Sequence, residues 1–108
     1  MKLKRGDLLY FSCMDLSAFN QSLIQQSPLA GLSLPLLSLW YDAKGDWKKA
    51  HDIINDKEDN ISAWVHAYLH RKEGDIGNAG YWYRRAGKTM PSASLADEWE
   101  AIVTELLR

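Results

Sequence analysis

Cysteine is almost missing from this chain of 108 residues. Cys13 stands alone, which excludes an intrachain disulfide and a thiolate metal cluster and makes a reducing cytoplasm the simplest setting. Net charge is missing as well. Thirteen Lys and Arg against fourteen Asp and Glu leave a formal charge of -1, so no global field draws the protein to nucleic acid or to an anionic membrane. No apolar run approaches the ~20 residues of a membrane-spanning helix. The run from Leu8 to Met14 follows Lys2, Lys4 and Arg5 much as in a signal peptide, and Cys13 follows a Ser as in a lipoprotein cleavage site. It is nevertheless short, is bounded by Asp7 and Asp15, and has no small-x-small site after it, so a cytoplasmic chain is expected. A nucleophile elbow, a phosphate loop and an HExxH pattern are all lacking, so nothing specific points to an enzyme.

Aromatic residues are what the chain has in quantity, with five Trp and five Tyr. Such rings fill cores and also dominate binding surfaces, so their number alone does not choose between the two. With 46% hydrophobic and 25% charged residues the balance is that of one globular domain. Charge is uneven along it: residues 61–91 carry five basic and two acidic side chains, residues 92–108 one basic and four acidic. A positive segment followed by a negative tail suits either an intramolecular complement or an anion-attracting patch.

The periodicity predicts helices throughout, hence an all-α fold. In an N-terminal segment, residues 1–33, Asp15 or Ser17 can cap a helix to about Gln26 with Leu16, Phe19, Leu23 and Ile24 on one side. Residues 34–60 form a first helical hairpin. Pro35 fits its opening turn, Gly45 ends the first helix, and Asp46 caps a second in which Trp47, Ala50, His51 and Ile54 share a face. Residues 61–91 repeat the pattern: a helix from Ile61 to Glu73, a Gly74-Asp75 turn, and a helix from Ile76 to about Gly87 with Ile76, Ala79, Tyr83 and Ala86 on one face. In residues 92–108, Ser94 and Asp97 open a last helix whose stripe is Leu95, Trp99, Ile102, Val103 and Leu106. Its acidic residues Asp97, Glu98, Glu100 and Glu105 fall elsewhere, so it reads as a cap over the end of the stack.

The segments KGDWKKAHDII (44–54) and EGDIGNAGYWY (73–83) match at Gly, Asp and Ala. Each shared residue has a mechanical purpose, since Gly ends a helix, Asp caps the next and Ala permits close approach. On Ala67, Gly74, Asp75, Ala79, Tyr83, Ala86 and Pro91 the second unit resembles a tetratricopeptide repeat. The first unit matches through Leu37, Tyr41, Gly45, Asp46, Ala50 and Ile54, with a shortened closing loop. His66 and His70 depart from the family pattern, which has apolar residues at those positions, and its aromatic falls one place later, at Trp64. The string WVHAYLHRKEGDIGNAGYWYRRAGK is also similar to a group of short bacterial proteins, a likeness that carries a class and no activity.

The tetratricopeptide resemblance implies a module that binds an extended peptide or protein along the first helix of a unit. The residues it marks are Trp64, Tyr68, Arg71 and Lys72, and the spacing 64, 68, 71 independently puts three of them on one side. An aromatic platform beside two cations suits an acidic partner; the competing reading packs Trp64 and Tyr68 against the N-terminal helices. Trp82, Arg84 and Arg85 extend the candidate surface. Stacking rings beside cations also serve single-stranded nucleic acid, but with only five basic residues in the unit a structural use is favoured, with Trp82 under the C-terminal helix.

His66, His70 and Glu73 lie at i, i+4 and i+7, and His51 comes from the apolar face of the preceding unit. Histidines one turn apart can direct ring nitrogens at one cation, so these four residues are an alternative site for a divalent transition metal. The competing reading is a set of core histidines bonded to Tyr83, Tyr81 or a carbonyl, and no cofactor is the leading expectation. A third possibility is a structural domain that stacks on itself as a homo-oligomer, because two units leave apolar ends to cover.

Overall fold

The computed structural model describes residues 14–108, and among them every regular element is a helix. The expectations attached to Cys13 and to the run beginning at Leu8 lie outside the described residues. Six helices follow one another: α1 (Leu16–Ser22), α2 (Leu34–Ala43), α3 (Trp47–Ile54), α4 (Asn60–Glu73), α5 (Ile76–Ala86) and α6 (Leu95–Leu106). None is long and apolar enough to cross a membrane.

Capping residues set most of the boundaries. The side chains of Asp15, Ser33, Asp46, Asp59, Asp75 and Ser94 each accept a bond from an otherwise unpaired amide in the first turn of the helix that follows. At the internal repeat the likeness extends to individual bonds. Gly45 and Gly74 both take φ 90°, the left-handed conformation that glycine enters without steric cost. Asp46 then donates its backbone N–H to the Tyr41 carbonyl at 2.9 Å, and Asp75 donates to the His70 carbonyl at 3.0 Å. Each aspartate next accepts from the amide three residues on, Lys49 at 3.1 Å and Asn78 at 3.2 Å. One turn is therefore built twice, and each copy folds two helices against one another: α2 on α3, and α4 on α5.

The larger core joins Phe19 of α1, Leu36, Leu39 and Trp40 of α2, Ala50 and Ile54 of α3, Val65, Tyr68 and Leu69 of α4, and Ile102 and Val103 of α6. Each large side chain buried there contributes about 1.5–3 kcal/mol relative to exposure. Ala67, Ala79 and Tyr83 form a second cluster where α4 meets α5. Tryptophan indoles then act as latches between helices. Trp40 donates to Ser22 at 3.1 Å, Trp47 to the Leu69 carbonyl at 2.8 Å, and Trp99 to the Leu39 carbonyl at 3.1 Å.

Three expectations need correction. The first helix stops at Ser22 rather than near Gln26, because Leu23, Ile24 and Gln25 bond three residues back in tight turns; Ile24 is consequently 82% exposed. Ile76 shares no buried face with Ala79 and Tyr83, since it opens α5 beyond the end of α4 and is more than half exposed. Glu98, expected off the apolar stripe of the last helix, is buried.

Candidate metal centre

Where α3 crosses α4, three imidazole rings converge. His51 comes from the middle of α3, and His66 and His70 lie one turn apart on α4 with their rings stacked 4.9 Å apart. The Nε2 atoms of His51 and His66 are 3.1 Å from each other. One ring nitrogen from each of the three histidines lies within 4.8 Å of the other two.

Two indoles hold the rings in place. Trp47 opens α3, stacks on His51 with centroids 4.9 Å apart and planes 10° apart, and is itself pinned to α4 through the Leu69 carbonyl. Trp82 of α5 stacks on His66 at 4.0 Å and 17°. This differs from the position under the C-terminal helix expected for Trp82; its ring covers a histidine because α5 packs chiefly along α4. His66 and His70 are buried and His51 is half-buried, so the cluster opens to solvent along the α3 side.

The hydrogen bonds separate this cluster from three ordinary core histidines. Tyr83 and Tyr81, the expected phenol partners, are engaged elsewhere: Tyr83 donates to Glu98, and the Tyr81 oxygen accepts from Arg85 at 3.3 Å. Among the described residues the buried Nδ1 of His66 has no partner, and its Nε2 meets the other imidazole. His70 is the oriented member, because its Nδ1 lies 2.5 Å from Glu73 Oε1, and among the described residues its Nε2 makes no hydrogen bond. A carboxylate fixing one nitrogen of a histidine while the other is offered to a cation is a recurring arrangement at metal sites. Burial first, then the neighbouring rings His51 and His70, pushes the His66 pKa down to about 4. Burial and the proximity of His70 lower that of His51 as well. Both rings are therefore neutral at physiological pH, the state in which imidazole binds a metal. A second grouping, His70 with Glu73 and Asp75, shares His70 with the first and is exposed on its carboxylate side.

The other face of α4 carries Trp64, Tyr68, Arg71 and Lys72, and all four meet groups of this same chain. Tyr68, fully buried, donates to Asp42 Oδ2 at 3.1 Å, and Lys72 reaches Asp42 Oδ1 at 2.9 Å. Arg71 pairs with Glu98 Oε1 at 2.7 Å and with the Ala93 carbonyl. The Trp64 indole donates to Glu98 Oε2 at 3.2 Å, with Lys88 Nζ over its ring. One ion pair, Arg71 with Glu98, thus joins the positive segment to the acidic tail, while Lys72 and Arg85 pair with Asp42 and Glu58. Between α2, α4 and α6 an open recess of about 320 Å³ remains, lined by Leu23, Asp42, Tyr68, Lys72, Leu95 and Trp99 among others. Arg84 and Arg85 are exposed on α5, with Arg85 lying over Trp82 and 3.5 Å from Glu58.

Asp42 and Glu98 are the two residues that sequence reasoning passed over. Each left a signal. Asp42 interrupts the otherwise apolar end of α2, and Glu98 falls between Leu95 and Ile102, on the apolar stripe itself. Comparison with known protein families, with curated proteins and with solved structures finds no match for this chain.

Proposed function

We propose that this protein binds a divalent transition metal through His51, His66 and His70, with Glu73 orienting His70. One observation carries the reading: ring nitrogens from three histidines on two helices lie within 4.8 Å of one another. For metal–nitrogen bonds of about 2.0–2.1 Å in a tetrahedral shell, two ligand nitrogens sit roughly 3.3 Å apart. The 3.1 Å between His51 and His66 is already close to that separation. An all-nitrogen set of imidazoles suits zinc, copper or nickel and disfavours magnesium or calcium, which take oxygen. The Glu73 carboxylate on His70 Nδ1 supports the reading from another side, because a metal-ligating histidine commonly gives its other ring nitrogen to such a group.

Calorimetric titration with Zn²⁺ and with Ni²⁺ tests it. The expected result is one metal per chain, a rise in melting temperature that grows with metal concentration, and loss of both in His51→Gln. No heat and no change in melting temperature with either ion would sink the reading.

A second reading is a module for an acidic peptide or protein partner, and the recess beside Tyr68 and Lys72 supports it. Trp64→Ala, Arg71→Ala, Lys72→Gln and Trp99→Ala would each disturb an inner contact, so Ala96→Glu and Glu100→Lys, at exposed positions lining the recess, are the probes. Unchanged affinity in both, for a partner captured by the parent chain, would count against the recess.

A further inference from the structure

We infer that the metal centre keeps one coordination position for a small anion supplied from outside the chain, of carboxylate or azide type. This rests on the metal-binding reading above. The argument starts from the side chains that would otherwise close the shell. Glu73 is the nearest acid by sequence, and its Oε1 is already spent on His70 Nδ1 at 2.5 Å. Asp75 accepts from the Asn78 amide at 3.2 Å as the cap of α5. Asp52, the neighbour of His51 in sequence, points to solvent and pairs with Lys48 at 3.0 Å. Among the described residues no carboxylate and no cysteine joins the three histidines within 4.8 Å. Three protein ligands and an open fourth position distinguish exchange-competent metal sites from structural ones, which are closed by four.

Charge and access point the same way. Imidazole ligands bring no negative charge to a bound ion, so an incoming anion is favoured over a neutral molecule. His51 is half-buried while His66 and His70 are buried, so solvent reaches the cluster at His51 on α3. Trp47 and Trp82 wall the flanks, stacked on His51 and His66. Rings stacked on two of the three histidines leave a small anion more room than a bulky one.

Cobalt(II) is the probe, because its visible spectrum reports ligand identity and coordination number. The full chain is loaded with Co²⁺ in perchlorate medium and titrated with sodium azide, then separately with acetate. A saturable, one-to-one change in the cobalt spectrum with both anions is expected, reversed by dialysis. If Co²⁺ is taken up and His51→Gln abolishes its spectrum, yet azide and acetate leave the parent spectrum unchanged, the position is closed and this inference fails while the metal reading stands. A thiolate-to-cobalt band in the near ultraviolet, lost in Cys13→Ser, would place the chain's own sulfur at that position and overturn it equally. No cobalt uptake at all removes both readings together.

Discussion

Tyr83 donates its phenol to the Glu98 carboxylate at 2.6 Å, and both side chains are withdrawn from water. Burial, with Glu98 alongside, pushes the Tyr83 pKa upward, so the phenol remains a donor. The same carboxylate takes the Arg71 guanidinium and the Trp64 indole, and one acid on α6 thereby joins three residues of α4 and α5. Removing one member of a buried pair leaves the other uncompensated, at a cost of about 3–5 kcal/mol. Glu98→Ala is expected to lose that much. Glu98→Gln, which keeps the acceptor oxygen for Tyr83, should lose less. Urea denaturation checks both; equal stability of Glu98→Ala and the parent chain would contradict the role assigned to the carboxylate.

The repeated turn makes a paired prediction. Gly45 and Gly74 adopt the same positive φ with open space where a Cβ would stand, so alanine at either position meets conformational strain and no clash. A loss of about 1–2 kcal/mol is expected for Gly45→Ala and for Gly74→Ala. Asp46→Ala and Asp75→Ala each remove a cap worth about 1 kcal/mol. Thermal unfolding of the four variants should give two matched pairs. A neutral effect at one glycine beside a large effect at the other would mean that the two turns are not mechanically equivalent.

Helix order, the caps Asp15, Asp46, Asp75 and Ser94, and the duplicated turn were legible in the sequence because they rest on local chemistry: Gly in the left-handed region, Asp or Ser on free amides, and apolar residues at helical spacing. The convergence of the histidines was half legible. Spacing placed His66 and His70 on one face, but only packing could bring His51 across from α3. Trp64, Tyr68, Arg71 and Lys72 were legible as one face of a helix, whereas their partners were not. Whether such a face looks to solvent depends on Asp42, 26 positions before Tyr68, and on Glu98, 27 positions after Arg71. Those separations carry no periodic signal, and an acid on an apolar stripe is the only local trace of them.

His66 provides the last test, through the dependence of stability on pH in the absence of metal. Burial and its two histidine neighbours depress its pKa from 6.5 to about 4. The folded state therefore resists a proton that the unfolded chain accepts near pH 6.5. Stability from this ring is fully present above the unfolded value, falls as the pH drops below it, and is lost by the time the folded pKa is reached. The linkage amounts to about 2 kcal/mol by roughly pH 5, before carboxylates begin to contribute. His51, also depressed, adds a smaller loss of the same sign. Urea midpoints between about pH 5 and pH 7 should decline steeply for the parent chain and more gently for His66→Gln, with the remaining slope owed to His51. Parallel profiles for the two proteins would show that His66 is not held neutral by its surroundings.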